Sequence, residues 1–258
     1  MIYQIYYDDR ICQATDNGSD CIKPFGVFKS LLLPRAKHAL YDDEKNPNLT
    51  AHNTFCEWRV LYYIWKHFPS PWVGFTSWQH NLKGFLPPLD RITPGWIDAG
   101  LKTAPIKGFM VRPLHSVMVG PVDAGIMPTL KDQFLQWSLL EGTIGKRIND
   151  VRGMPMGRYH SAPYWDFVIK EYRRIYGADL ADELDWVALG KIDALHTWCN
   201  AFIARWSYFD DYMKQFSPIA LGLLDFFGSH PIDLELSYIC ERLIIIYNYI
   251  KYSNNELA

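Results

Sequence analysis

The chain begins with weakly alternating apolar and polar positions, Ile2 to Tyr7, which predict a buried strand over residues 2–7. A polar stretch rich in Asp, Asn and Gly follows from Asp8 to Asp20 and reads as a loop. From Phe55 to Phe68 ten of fourteen positions are hydrophobic, and the run stops at Pro69 and Pro71, which predicts a buried helix over about residues 53–68. Trp72 to Trp78 reads as the next strand. Further strands are expected near 107–112 and 116–120, after a long Pro/Gly-rich connection from Gly84 to Gly100 that could form part of a substrate-site wall.

The second half is richer in helical pattern. Thr129-Leu130-Lys131-Asp132 has the hydroxyl-x-x-acid spacing that caps a helix start, and Gly142 supplies a stop. A loop from Gly145 to Arg158 leads to a helix from about Ser161 to Tyr176, ended by Gly177. Thr197 to Trp206 reads as a strand, with Ser207 capping a helix that runs to about Phe227. A last amphipathic helix, about 234–252, sets Leu236, Ile239, Cys240, Leu243, Tyr247 and Ile250 on one stripe. Strands mixed with helices, without an internal repeat, predict an α/β fold in a single domain over 1–258, with a strand-rich half to 125 and a helix-rich half from 126.

Composition narrows the classes. At 258 residues and 49% hydrophobic the chain can bury a substantial core. With 26 basic against 28 acidic residues, nothing global favours nucleic acid or an anionic membrane. The aromatic share, 16% with ten Trp and sixteen Tyr, suits the stacking of rings on sugar faces, although cores and interfaces also use such rings. Cys12, Cys21, Cys56, Cys199 and Cys240 show no metal or disulfide spacing, which fits a reducing compartment. The start lacks a signal-peptide pattern, and the run Leu243 to Ile246 is far too short to span a bilayer. A cytoplasmic location is expected, compatible with peripheral association at the inner face of a membrane.

Candidate chemistry clusters at a few places. At 100° per residue Arg59, Tyr63 and Lys66 share one face of the 53–68 helix, which is expected to be wet, while Asn53 and Glu57 share the other, mostly apolar side. Glu57 is therefore expected to be partly buried, as an anchor for backbone amides or as a site residue. Ser77, Trp78, Gln79 and His80 place hydrogen-bonding groups and a ring at the carboxyl end of a central strand, where open α/β sheets bind ligands. No Asp-x-Asp triplet occurs. Asp8-Asp9 and Asp42-Asp43 fall in predicted loops, where solvated turn residues are the ordinary reading, and Asp123 follows a predicted strand and is the preferred loop carboxylate. Asp210 is accounted for by capping from Ser207. His160 could donate to a phosphate or serve the helix start beside it. Glu241 either pairs with Arg242 or acts as a general base. Walker, GxGxxG, GxSxG and HExxH motifs are absent, which removes support for kinases, dinucleotide dehydrogenases, α/β-hydrolases and zincins.

One series of ordered blocks goes further. Asn48 to Trp58, then Leu61 to Lys66, then Trp72 to Phe75, resembles a bacterial glycosyltransferase-like family found among capsule and lipopolysaccharide biosynthesis proteins. In that family an Asn-x-x-Tyr-Cys-Glu segment enters an aromatic helix, and a Tyr-Ile-Gly-Leu strand ends in His-Tyr-Arg-Arg. Tyr159-His160, Cys199 to Arg205, Phe209-Asp210 with Tyr212, and Glu241-Arg242-Leu243 are similar to its later blocks.

The resemblance implies a GT-A-like nucleotide-sugar-binding fold with a mixed central sheet and a helix-rich C-terminal half. It also implies sugar transfer from a nucleotide-sugar donor to a glycan or glycolipid acceptor. Donor-binding candidates are Tyr7, Asp8, Asn53, Glu57, Ser77, Trp78, Gln79, His80, Lys83 and His160. Asn200 is the acceptor-binding candidate, and Glu241 or Asp123 the base. Mn²⁺ or Mg²⁺ could assist. The chain departs from the family where Ser77-Trp78-Gln79-His80 replaces His-Tyr-Arg-Arg, so two diphosphate-holding cations are missing. Lys83 or His80 could substitute; the rival is a non-catalytic glycan-binding or assembly protein on a transferase scaffold.

Overall fold

A computed structural model of the chain describes residues 1–6, 20–27, 40–77, 91–104, 107–110, 162–180, 200–229 and 236–253. The first strand, β1 (Ile2–Tyr6), is buried at all five positions, which is the pattern of a central strand covered on both faces. It pairs in parallel with β2 (Ile22–Gly26) on one side and β4 (Trp72–Ser77) on the other. The short β3 (Leu40–Tyr41) extends the sheet beyond β2. Beyond β4 lie β6 (Phe202–Arg205), antiparallel to it, and β5 (Phe109–Met110), antiparallel to β6. The order β3-β2-β1-β4-β6-β5 makes this a mixed sheet. The strand order reverses between β1 and β4, so the sheet has its switch point there.

Alternation along the strands builds two cores. Tyr3, Ile5, Phe25, Val73, Phe75 and Phe202 face a layer formed by α1 (Trp58–His67), α4 (Trp206–Ser229) and α5 (Leu236–Ser253), with α3 (Ala162–Tyr176) against α4. Ile2, Ile22 and Ile203 join Ile97, Leu101 and Met110 under α2 (Pro94–Thr103) on the opposite side. Gly74 lies where three strands crowd: a Cβ there would meet Ile2 Cγ1 at 2.7 Å and Ile203 Cγ1 at 3.1 Å.

Most of the described aromatic surplus is spent in the first core. Phe75 packs on Phe202 and Phe209, each at 5.3 Å between ring centroids, and Tyr247 packs on Tyr208 at 5.0 Å and Tyr212 at 5.5 Å. Among the residues whose burial is described, Tyr176 is the exposed large hydrophobic side chain.

Several elements differ from expectation. The 53–68 segment divides into a 3-10 turn, Asn53–Phe55, and α1, with Cys56 between them at φ 41°, a left-handed conformation that turns the chain. The face of α1 expected to be wet is buried at Arg59 and Tyr63, because the segment after β3 covers it; Lys66 alone of that trio is exposed. The Gly84–Gly100 connection gives way to α2 at Pro94, where Thr93 Oγ1 caps the helix by accepting from the Trp96 amide at 3.2 Å. α4 starts at Trp206, which places Ser207 inside the first turn and not at the cap. The strand expected over Thr197–Trp206 is confined to Phe202–Arg205 within the described residues. The helix predicted from Thr129, the 116–120 strand and the 145–158 loop lie outside them.

Candidate functional site

The carboxyl ends of β1 and β4 lie at the switch point of the strand order, the place where open α/β sheets commonly bind ligands. β1 ends at Tyr6, level with Gly26 of β2, which is in turn level with Tyr41 of β3. The Tyr6 hydroxyl donates to the Tyr41 hydroxyl at 3.2 Å and ties this edge together. Ser77 closes β4 opposite Ile5, and one residue back Gln4 and Thr76 stand side by side, both fully buried. Two buried polar residues thus stand side by side between otherwise apolar strand positions.

Asn200 joins the same edge from the other side of β4. The ladder between β4 and β6 ends at Phe75 and Phe202, and Ser77 and Asn200 each lie two residues beyond that pair. Asn200 has φ 54°, a region that asparagine enters more readily than other non-glycine residues. It is 1% exposed, and its Oδ1 has no hydrogen-bond partner among the described residues.

A second group gathers where the 53–55 turn meets the start of α5. The Leu236 amide donates to Thr54 Oγ1 at 3.0 Å, which brings Asn53, Glu57 and the first turns of α5 into one corner. Glu57 is half-buried, at the residue before α1. Its carbonyl accepts from the Val60 amide at 3.0 Å, while its side chain forms no capping bond. Glu241 is buried, and Ser237 and Asn248 are buried polar residues on the same side of α5. Asn248 Oδ1 accepts from the Tyr208 hydroxyl at 2.8 Å. Glu57 and Glu241 each make further interactions with neighbours. Burial pushes the Cys240 thiol well above its ordinary range, and the nearby Cys56 adds to the shift.

Arg59 and Asp42, which the sequence reading did not single out as a pair, form the buried ion pair of this region. Arg59 Nε and Nη2 reach Asp42 Oδ2 at 2.8 and 2.7 Å, and Nη1 donates to Asn53 Oδ1 at 2.8 Å. Asp42 is thus not a solvated turn residue. Burial pushes its carboxyl up, and the Arg59 charge opposes that shift. The available signal was an arginine inside a run in which ten of fourteen positions are hydrophobic. Asn53, exposed at its turn, is held by this arginine, so the Arg59 charge is already matched within the protein.

Tyr7, Asp8, Trp78, Gln79, His80, Lys83, Asp123 and His160 lie outside the described residues, and only the backbone position of Ser77 is described. Asp210, assigned above to capping, instead accepts from Trp65 Nε1 at 2.9 Å and pairs with Lys214 at 2.6 Å. Among the described residues no three His, Cys, Asp or Glu side chains converge as a metal site would need. No helix among them is long and apolar enough to cross a membrane.

No protein-family model matches the chain, and no curated protein matches it at a significant level. Among solved structures it is similar to the WbbM bifunctional glycosyltransferase in its apo form, with a TM-score of 0.53 and 18% identity. The likeness covers 98% of this chain and 42% of that one, so the chain spans less than half the length of its structural neighbour. At that identity the likeness concerns the fold: the chain has an α/β fold similar to that of this glycosyltransferase, with a mixed sheet of six strands among the described residues.

Proposed function

We propose that this chain transfers a sugar from a nucleotide-sugar donor to a hydroxyl of a glycan or glycolipid acceptor. The observation that carries the reading is the coincidence of a glycosyltransferase scaffold with a switch point between β1 and β4, whose carboxyl edge holds buried polar residues. The donor would lie against that edge, served by Tyr7, Asp8 and the segment Ser77 to His80, with Lys83 and His160 as cationic or donor groups toward the diphosphate. Asn53 and Glu57 would border it. In this reading the half to residue 125 holds the donor and the half from 126 the acceptor, at the cytoplasmic face of a membrane where surface polysaccharide is made.

The chemistry asks for a base and for stabilisation of the leaving group. In an inverting transfer the base takes the acceptor hydroxyl proton, the oxygen bonds to the anomeric carbon, and the bond to the diphosphate breaks. Glu241 or Asp123 is the base in this proposal; the burial of Glu241 on α5 suits a carboxylate kept from bulk water. The described residues do not supply a site for Mn²⁺ or Mg²⁺, so no step is assigned to an ion. Negative charge on the diphosphate falls to His80, Lys83 or His160, since Arg59 is already engaged by Asp42.

The missing arginine pair at Ser77-Trp78-Gln79-His80 and the absence of an Asp-x-Asp triplet favour the second reading, a glycan-binding or assembly protein that keeps the scaffold without turnover. The test is thermal stability of the purified chain against UDP-, GDP-, CMP- and dTDP-sugars with and without Mn²⁺, followed by an assay of transfer or donor hydrolysis with the nucleotide that shifts it. Stabilisation by one nucleotide class, with turnover lost in Glu241→Gln or Asp123→Asn, supports the transferase. Stabilisation by free glycan alone, without turnover, establishes the second reading.

A further inference from the structure

Asn200 combines two features that call for separate causes. Its left-handed backbone, φ 54°, explains why a bulky or branched residue is disfavoured, but glycine would meet that need better. The carboxamide is a liability in the free protein: Oδ1 is buried without a hydrogen-bond partner among the described residues, and an unmade hydrogen bond on a buried carbonyl costs stability. Glycine would remove that cost as well. A buried oxygen that the turn does not need, and that finds no donor among the described residues, is accounted for by a donor that binds it.

Its place narrows what binds. Asn200 lies level with Ser77 at the carboxyl end of β4, one strand from the switch point. A carbonyl oxygen accepts hydrogen bonds and cannot donate them. Diphosphate oxygens are acceptors too and would be repelled, whereas the hydroxyls of a sugar donate. We infer that Asn200 Oδ1 accepts a hydrogen bond from one hydroxyl of the substrate sugar, which makes Asn200 a specificity-determining residue that separates a hydroxylated sugar from its deoxy analogue. The inference rests on the sugar-transfer reading above, and it assigns to that site a discriminating contact.

The test compares wild type with Asn200→Gly and Asn200→Asp. Glycine keeps the backbone conformation and removes the carboxamide; aspartate keeps an accepting oxygen of similar shape. Each protein is titrated calorimetrically with the nucleotide sugar that stabilises wild type and with its single-deoxy analogues, and the melting temperature of each free protein is recorded. The expected result has one deoxy analogue binding wild type about ten- to a hundredfold more weakly than the parent sugar. Asn200→Gly should lose a similar factor for the parent, show no further loss with that analogue, and melt no lower than wild type. Asn200→Asp should keep the discrimination.

Wild-type affinity and discrimination in Asn200→Gly would overturn the inference and leave the asparagine to its backbone role. Loss of binding in Asn200→Asp alone would overturn it too, because it would mean that the group at Asn200 is an anionic acceptor such as phosphate. If no UDP-, GDP-, CMP- or dTDP-sugar binds wild type, the transfer reading itself fails. The same three proteins titrated with free glycans then decide the contact separately: discrimination lost in Asn200→Gly retains it, and equal binding ends it.

Discussion

Arg59 shows how far a single residue can be read from the chain. Helical spacing put it on a face with Tyr63 and Lys66, and Lys66 does reach solvent, yet Arg59 is 2% exposed. The reason lies seventeen positions earlier, where Asp42 leaves the end of β3 and meets the guanidinium. A partner delivered by sheet pairing is invisible to a periodicity argument, which sees only one helix at a time. Both charges are now buried, so removing one strands the other. Arg59→Met should destabilise the protein by about 3–5 kcal/mol, and adding Asp42→Asn should recover a large part of that loss. Urea unfolding of the two variants checks this; equal stability of Arg59→Met and wild type would mean that the pair carries no weight. Glu57 is half-buried as expected, yet the face argument behind that expectation fails, since Asn53 beside it is exposed while Arg59 and Tyr63 are covered.

Elements were legible where their own pattern was long. The closing helix keeps all six of its predicted apolar positions buried, and the helix ended by Gly177 stops where that glycine takes φ 69°. α2 was not legible, since Pro94, Gly95 and Gly100 read as a connection and only Ile97 and Leu101 bury apolar side chains. Its start depends on the Thr93 cap followed by Pro94, a local signal that composition obscures. The two glycine environments give opposite predictions. Gly95 is exposed, with nothing within 4 Å of the place a methyl would take, so Gly95→Ala should stabilise α2 by roughly 0.5–1 kcal/mol through helix propensity. Gly74→Ala would drive a methyl into Ile2 and Ile203 from both neighbouring strands, and should cost about 1–3 kcal/mol. Thermal or denaturant midpoints of the two variants should move in opposite directions; a shared direction would refute the packing assigned to β4.

At the scale of the molecule, the alternation of strands and helices made an α/β class legible, but not the order β3-β2-β1-β4-β6-β5. β3 and β5 are two residues each, too short to show a period, and the antiparallel entry of β6 is decided by partners far away in sequence. The helix layer is joined by two adjacent carboxylates of α4 that look redundant in the sequence. Asp210 accepts from Trp65 of α1 and pairs with Lys214, while Asp211 accepts from Tyr247 at 2.6 Å and pairs with Lys251, both on α5, at 3.0 Å. Burial alone would raise both carboxyls, but these donors outweigh it and hold both below their ordinary value of 3.8. A depressed folded-state pKa stabilises above the unfolded value and loses that contribution as pH falls through the folded one. Asp42, raised by burial, acts with the opposite sign, so the comparison must be made between variants and not from the wild-type curve alone. Urea unfolding from neutral pH down to about pH 3 should show the Asp210→Asn, Asp211→Asn double variant less stable than wild type at neutral pH, with the gap closing as the acids protonate. A gap that stays constant across that window would show that the two carboxylates act through shape and not through charge, and that apolar packing holds the α1–α4–α5 layer.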